Sequence, residues 1–208
     1  SLYNESPTGP VTPTLLITAV GIIPDVRKAV SIDLKQSGNA VYIIGQTLPE
    51  LGGSEYYKLK GFVGKTVPKV RAKSAKRTMN ALVKAIDLGY VRACHDLSEG
   101  GLAVAAAEMA FASDCGIDLW LKKVPKPKSM KRNDFTLFSE SNSRFLIEVV
   151  EKWKQDFEDL MKGNIFSMVG EVKKEPYFSV YGLNDERIVD ISLAELRNAW
   201  KSTLGGGG

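Results

Sequence analysis

Residues 95–101 read HDLSEGG, so one short turn combines a carboxylate, a hydroxyl and two glycines. An apolar run precedes the turn and a helical run from Leu102 to Ala112 follows it, which predicts a junction between the end of a strand and the start of a helix. A helix start offers unpaired N–H groups and a partial positive charge to an anion. Asp96 is suited to hold a divalent cation that bridges phosphate oxygens. The spacing therefore indicates a site for a phosphate-bearing ligand, such as a nucleotide or a sugar phosphate.

The same residues also have a purely structural interpretation. Asp and Ser are preferred helix N-caps, and Gly lets a helix pack closely on a strand. The turn alone does not decide between capping and ligand binding, so a second feature is needed.

The composition favours one globular domain. The chain has 208 residues, of which 44% are hydrophobic and 25% charged, and its formal net charge is +4. Basic residues are locally dense at Lys65–Arg77 and Lys122–Arg132, and we interpret both runs as solvated faces. Because neither run is interleaved with aromatic residues that could stack on bases, no nucleic-acid partner is expected.

The cysteines and the two ends give further expectations. Cys94 and Cys115 form no C-x-x-C pair, and no 18-residue apolar run or signal peptide is present, which predicts a reduced, cytoplasmic protein with no membrane partner. The chain starts without Met and stops in four glycines, as expected for a piece of a longer protein. We predict an extended lead-in without regular elements at 1–14, a single domain at 15–204 and a flexible tail at 205–208.

The pattern of apolar residues predicts an α/β (α+β) fold, with a mixed β-sheet flanked by helices. Residues 15–23 are expected to be a strand buried on both faces. Ser192 and Glu195 have the spacing of a capping box. Residues 46–68 and the stretch from Pro125 are predicted loops. The other predicted strands are 41–45, 90–95, 117–121, 144–150, 165–172, 177–181 and 187–191, and the predicted helices are 72–88, 98–113, 151–162 and one from 192.

Four segments together carry a family resemblance: HDLSEGGLAVA at 95–105, LGGSEY at 51–56, SLYNE at 1–5 and LFSES at 137–141. The chain resembles the synthetase subunit of phosphoribosylformylglycinamidine synthase, one of the aminoimidazole ribonucleotide synthetase-like ATP-dependent enzymes. The resemblance implies an aminoimidazole ribonucleotide synthetase C-terminal-domain-like fold and identifies the chain as the last C-terminal half-domain. It implies a part in the purine-pathway ligase reaction that converts formylglycinamide ribonucleotide, ATP and a glutamine amide nitrogen into formylglycinamidine ribonucleotide, ADP and phosphate.

The resemblance also implies partners and site residues. It gives ATP and Mg as cofactors, and the remaining synthetase half-domains and a glutaminase subunit or domain as partners. The family's working site uses the first copy of this half-domain, so the present copy is expected to line an auxiliary nucleotide site or to be structural, to be inactive alone and to hold no catalytic residue. Ser1 is the candidate substrate contact and Asp96 the candidate metal ligand. The candidate residues for auxiliary nucleotide or phosphate binding are Asp96, Ser98, Gly100, Gly101 and Glu140.

Several alternatives stay open at this point. His95 is expected to be a hydrogen-bonded structural residue, and neither cysteine is expected to be a nucleophile, because the family's glutamine-hydrolysing Cys belongs elsewhere. Gly52 and Gly53 form either a tight turn or a second anion-binding nest. The alternative functions are a sister enzyme of the selenophosphate synthetase or thiamine-phosphate kinase type, or a non-catalytic nucleotide-binding or assembly module.

Overall fold

A computed structural model describes residues 5–11 and 16–204 of the chain. Ser1 and the predicted tail at 205–208 lie outside the described residues. Within the lead-in, Glu5–Ser6 (β1) and Gly9–Pro10 (β2) pair as a short antiparallel hairpin. The lead-in therefore contains a small regular element that the sequence pattern does not predict.

A seven-stranded mixed sheet forms the centre of the fold, as predicted. Its strands are β3 (Ala40–Ile44), β4 (Val91–Asp96), β5 (Gly116–Trp120), β6 (Phe145–Val149), β7 (Phe166–Lys173), β8 (Tyr177–Tyr181) and β9 (Arg187–Ser192). Their order is β4-β6-β3-β7-β5-β8-β9, and every neighbouring pair is antiparallel except β5 and β8, which are parallel.

Strand β3 separates two hydrophobic cores. All five of its residues are 0% exposed. Successive side chains of a strand point to opposite faces. Val41 and Ile43 therefore join the core that contains Leu102 and Met109, whereas Tyr42 and Ile44 join the second core, on the other face of the sheet. Burial on both faces of the sheet therefore explains why every position of β3 is apolar.

Helices cover both faces of the sheet. The helices are α1 (Glu55–Leu59), α2 (Ala72–Asp87), α3 (Gly101–Phe111), α4 (Asn133–Phe138), α5 (Lys154–Leu160) and α6 (Leu193–Leu204), with short 3-10 turns at Val26–Lys28, Leu121–Lys123 and Glu151–Trp153. One core takes residues from α3 and α6, and the other takes residues from α2 and α5. Among the described residues, no helix combines the length and the apolar character needed to cross a membrane.

Two local signals predicted helix ends correctly. Gly89 follows the last residues of α2 with a positive φ of 75°, the left-handed conformation that glycine adopts readily. At the start of α6, the Ser192 backbone N–H donates to the Glu195 carboxylate at 3.2 Å, and the Glu195 N–H donates to the Ser192 hydroxyl at 3.2 Å. This reciprocal pair confirms the predicted capping box.

The predicted strand at 15–23 is wrong over its described part. Residues 16–23 have no strand partner, and Leu16, Val20 and Ile22 are about nine-tenths exposed. An apolar run becomes a strand only when a neighbouring strand accepts its hydrogen bonds. In this chain β3 already has β6 on one side and β7 on the other, so the central positions of the sheet are filled.

Smaller differences have identifiable physical causes. The helix predicted from 98 begins at Gly101, because Gly100 takes a left-handed φ of 73° and ends the turn before the helix. Helices α1 and α4 lie in stretches predicted as loops. Both have only five or six residues, too few for a hydrophobic period to emerge.

Buried Glu148 fixes the segment that leads into β3. Its carboxylate accepts hydrogen bonds from the backbone N–H groups of Lys35 at 2.7 Å and Gln36 at 3.1 Å, and from the Asn39 side-chain amide at 2.5 Å. Burying a carboxylate is costly unless its oxygens are hydrogen-bonded. These three donors satisfy that requirement and hold residues 35–39 against β6.

Gly101 should not tolerate a side chain. Its φ is 63°, and an added Cβ would collide with the Ser139 carbonyl oxygen and lie 2.8 Å from that of Leu137. We expect Gly101→Ala to lower the free energy of unfolding by about 2–4 kcal/mol in urea titrations. Gly163→Ala is the matched control, because Gly163 also has a positive φ, of 85°, but an added Cβ would meet nothing within 4 Å. Equal losses in the two variants would contradict the proposed collision.

Candidate functional site

The HDLSEGG turn joins strand β4 to helix α3, as predicted. β4 ends at Asp96, and α3 starts at Gly101. Asp96 and Ser98 are exposed, whereas Gly100 and Gly101 are buried against neighbouring backbone and side chains. The glycines thus lie beneath the turn, and the carboxylate and the hydroxyl lie on its outer surface.

Asp96 is held as an exposed, ionised carboxylate. Its side chain is 60% exposed, and it accepts a hydrogen bond from the Ser98 hydroxyl. This hydrogen bond lowers the pKa of Asp96 below its usual value, with smaller help from His95. Asp96 is therefore negatively charged at neutral pH.

His95 is a hydrogen-bonded residue, as predicted, and its partner lies on the helix that follows the turn. Its Nε2 lies 2.9 Å from a carboxylate oxygen of Glu108 on α3, and its Nδ1 lies 3.4 Å from Asp96 Oδ1. The ring is only 18% exposed. It braces β4 against α3 on the side where Asp96 emerges.

Glu140 connects the turn to the LGGSEY segment. Its Oε1 accepts a hydrogen bond from the Gly100 N–H at 2.9 Å and another from the Glu55 N–H at 3.0 Å. Glu55 is the first residue of α1, so the carboxylate caps that helix, where negative charge is favourable. One oxygen atom therefore joins three of the sequence segments that carry the family resemblance.

A network of backbone bonds holds the Glu140 loop in place. The Ser141 hydroxyl accepts from the Leu48 N–H at 3.0 Å, and the Glu140 N–H donates to the Glu50 carbonyl at 3.2 Å. Arg144, which is 1% exposed, donates to the carbonyls of Ser139 at 2.5 Å and Ser141 at 2.7 Å. The loop is thereby fixed to residues 48–50 before any ligand is considered.

Arg144 remains charged despite its burial. Burial lowers its pKa to about 10, and the nearby carboxylates of Glu50 and Glu140 oppose this shift. The guanidinium also donates to the Thr47 hydroxyl at 3.0 Å. The chain therefore places a permanent cation under the loop, where its N–H groups are paired with oxygen atoms.

Aromatic packing attaches α1 to α4. The rings of Tyr56 and Phe138 stack with centroids 4.6 Å apart and planes 2° from parallel. The Tyr56 hydroxyl donates to Asp134 at 2.9 Å. Gly52 packs on the backbone of Thr66, where a Cβ would lie 2.8 Å from the carbonyl carbon, and the Gly53 φ is 74°. These contacts give both glycines a structural reason to be present.

The structure brings Asp96, Ser98, Gly100, Gly101 and Glu140 to one corner of the molecule. Sequence reasoning missed Arg144 and Tyr56, which support that corner. An arginine at the start of an otherwise apolar strand is a signal that could have pointed to Arg144, since buried charges need dedicated partners.

Charge at this corner is mainly negative. Asp96 and Glu99 belong to the turn, and Glu140 is hydrogen-bonded to it. Glu140 is also bonded to the backbone of Glu55, the first residue of α1. In the described part of the chain, no group of three or more His, Cys, Asp or Glu side chains is arranged to hold a metal ion. Asp96 can thus offer one carboxylate to a cation, with the other ligands coming from outside this group of residues.

Comparison with known proteins identifies the family. Residues 36–182 match the model for the C-terminal domain of AIR synthase related proteins. The chain belongs to this family, and both the predicted fold and the resemblance stated from its motifs are confirmed.

Curated relatives are considerably longer than this chain. It is 36% identical over 205 residues to the phosphoribosylformylglycinamidine synthase subunit PurL of Methanothrix thermoacetophila, covering 98% of the chain and 26% of the relative. The PurL subunit of Moorella thermoacetica is 33% identical over 98% of the chain and 27% of its own length. The chain therefore spans about a quarter of the length of these relatives. The similarity between this chain and the PurL subunits extends beyond residues 36–182, the part that matches the family model. It therefore does not favour the sister-enzyme alternative.

Solved structures agree with the fold. PurL of Thermotoga maritima complexed with FGAR has a TM-score of 0.72 and 20% identity, over 82% of this chain and 30% of that one. The same protein complexed with ATP has a TM-score of 0.66 and 19% identity, over 82% and 27%. At this level of identity the likeness establishes the architecture.

Removing the Glu140 carboxylate should loosen the corner. We expect Glu140→Ala to destabilise the chain by about 1–3 kcal/mol in urea unfolding, because the buried Gly100 N–H loses its acceptor. Glu140→Gln keeps an acceptor oxygen and should cost less. Glu99→Ala, which removes an exposed carboxylate from the same turn, serves as the control and should stay close to wild type. A loss in Glu99→Ala as large as in Glu140→Ala would contradict this assignment.

Both cysteines should react slowly in the folded chain. Burial raises the pKa of Cys94 to about 12 and also raises the pKa of Cys115. Since the thiolate is the reactive form, iodoacetamide at pH 8 should alkylate Cys94 at least about tenfold more slowly than in the urea-unfolded chain, as followed by mass spectrometry. Equal rates in the folded and unfolded chain would show that Cys94 is an accessible thiol of ordinary acidity.

Proposed function

We propose that this chain is the C-terminal portion of an ATP-dependent ligase that converts formylglycinamide ribonucleotide into formylglycinamidine ribonucleotide in purine biosynthesis. The proposal is supported by the corner at which HDLSEGG, LGGSEY and LFSES are joined through Glu140. These segments lie in a chain that aligns over 98% of its length with curated PurL subunits. In the proposed enzyme the nitrogen comes from glutamine, and ATP yields ADP and phosphate.

Asp96 is the residue proposed to face a nucleotide. An exposed ionised carboxylate repels phosphate directly, and Glu99 and Glu140 add negative charge nearby. A phosphate-bearing ligand therefore requires a divalent cation between its oxygens and Asp96. Mg²⁺ suits this position, because it is commonly bound through one or two carboxylates together with the substrate's phosphates and water. When bound, the cation supplies charge neutralisation.

The remaining corner residues are proposed to shape and orient this site. Ser98 directs its hydroxyl at Asp96, which keeps that carboxylate ionised. The Gly100 N–H is engaged by Glu140, and the Gly101 N–H donates to the Ser98 carbonyl at 3.1 Å. We infer that these two glycines contribute through backbone shape, and that Glu140 fixes the turn relative to the start of α1.

The rest of the proposed enzyme lies outside this chain. Solved relatives include Thermotoga maritima PurL complexed with ATP and with FGAR, and the PurLQS assembly of the same organism. We propose the corresponding substrates here, with the other synthetase half-domains and a glutaminase subunit or domain as partners, in the cytoplasm. Ser1 is the proposed substrate contact. The site at Asp96 is proposed as an auxiliary nucleotide site, completed by the other half-domains.

The reaction can be tested with the whole parent synthetase that contains this chain. With ATP, Mg²⁺, formylglycinamide ribonucleotide and ammonium chloride as nitrogen donor, we expect formylglycinamidine ribonucleotide and ADP to form, as measured by liquid chromatography. The 208-residue chain alone should give no product, because its sites are incomplete. Failure of the parent protein to form product overturns the assigned reaction, and product from the chain alone overturns the composite site.

The role of Asp96 needs a separate measurement. In the parent protein we expect Asp96→Asn to weaken MgADP binding at least about tenfold in calorimetric titrations, because one charged metal ligand is lost. Glu99→Gln removes the same charge from the same turn and should change binding much less. Equal weakening by the two variants would mean that Asp96 acts only through the general field of the corner.

A further inference from the structure

A small cavity of about 80 Å³ lies at the start of α2, beside the loops that follow β3 and Glu140. Its lining comes from four segments that are far apart in the sequence. None of its residues belongs to the Asp96 corner. The lining residues are Gly45, Gln46, Lys69, Arg71, Ser74, Ala75, Arg77, Thr78, Asn142, Ser143 and Ile165.

The cavity is cationic. Lys69, Arg71 and Arg77 line it, and no carboxylate does. The wider sequence repeats this bias, since residues 56–86 contain nine Lys or Arg and no Asp or Glu. The basic run that the sequence alone indicates as a solvated face thus lies partly along a small cavity.

One cation is fixed in place by a buried acid. The Arg71 guanidinium lies 3.6 Å from Glu50 Oε1, and the Glu50 side chain is only 5% exposed. Arg71 itself is 55% exposed and lines the cavity, and its Nη1 makes one long hydrogen bond, to the Lys69 carbonyl at 3.5 Å. The second Glu50 oxygen has no hydrogen-bond partner in the described structure.

The other cations are lightly engaged. Arg77 makes one long hydrogen bond, from Nε to Asn164 Oδ1 at 3.3 Å. Within the described residues, the Lys69 ammonium has no ion-pair partner. Two positively charged side chains therefore approach the cavity with most of their donor capacity unused, which is unfavourable unless an anion compensates the repulsion between them.

Neutral donors complete the lining. Gln46, Asn142 and Ser143, whose side chains carry amide or hydroxyl donors, belong to it. Ser143 adopts a φ of 60°, an uncommon conformation for a residue other than glycine. Gly45 allows this approach, because an added Cβ would lie 2.9 Å from the Ser143 carbonyl oxygen. The two loops are thus closely packed, and Gln46, Asn142 and Ser143 line one small volume.

We propose that this cavity binds the phosphate group of a small phosphorylated metabolite. Guanidinium groups bind phosphate oxygens through paired hydrogen bonds, and lysine adds a point charge. Unlike the acidic Asp96 corner, this cavity needs no metal ion to accept an anion. It is a second anion site within the chain, and it does not depend on the proposed ligase function.

Titration of the 208-residue chain with inorganic phosphate tests the proposal. Binding is followed by the backbone amide signals of residues 71–75 and 142–143 in NMR spectra, at constant ionic strength with chloride as the competing anion. The double variant Lys69→Gln with Arg77→Gln should weaken phosphate binding at least tenfold. The matched control is Lys76→Gln with Lys84→Gln, which removes the same charge from α2 at positions that do not line the cavity, and it should retain wild-type affinity.

The outcomes separate a built site from diffuse attraction. Saturable shifts confined to the cavity residues, lost in the first double variant and kept in the second, support the proposal. Equal weakening in both double variants, or shifts spread along α2, would show general electrostatic attraction and overturn it. No saturable shift in the wild-type chain would also overturn it. Ribose 5-phosphate in a parallel titration should bind more tightly than inorganic phosphate if the cavity serves an organic phosphate, and binding of inorganic phosphate alone would overturn the metabolite assignment.

Discussion

The corner of this molecule depends on a buried positive charge beneath a loop of backbone carbonyls. Arg144 bonds the carbonyls of Ser139 and Ser141 and the hydroxyl of Thr47, and so fixes the loop that carries Glu140. Lysine could not replace it, because only the planar fork of a guanidinium reaches several acceptors with fixed geometry. Together with the bonds from the loop to residues 48–50, this side chain sets the position of Glu140, and through it the start of α1 and the turn before α3.

The charge distribution gives the two sides of that loop opposite chemistry. On one side the loop supports Asp96, whose carboxylate is ionised and exposed. On the other side Asn142 and Ser143 meet the basic start of α2. The loop is hydrogen-bonded to residues 48–50. A ligand that displaced the loop from either side would have to break or distort these hydrogen bonds.

Much of the fold could be predicted because local signals and tertiary structure agree. Helix α2 has a clear apolar face and a glycine at its end, and the Ser192 capping box is complete within four residues. The strand predicted at 15–23 failed because hydrophobicity alone does not supply a hydrogen-bonded neighbour. In the candidate site, the turn could be located from its own residues. The part played by Glu140 could not, because it bonds residues 40 and 85 positions away in the sequence.

The central strand has a consequence for how the chain reaches its folded state. Ile44 of β3 pairs with Phe145 on one side and with Phe166 on the other, so each partner is made about a hundred or more residues later. During synthesis, the five apolar residues of β3 therefore stay without their partner strands until nearly the whole domain has left the ribosome. Such a segment is prone to pair with other chains in the meantime. The domain should depend on slow, late closure of its sheet, and its yield on folding should fall as the concentration of unfinished chains rises.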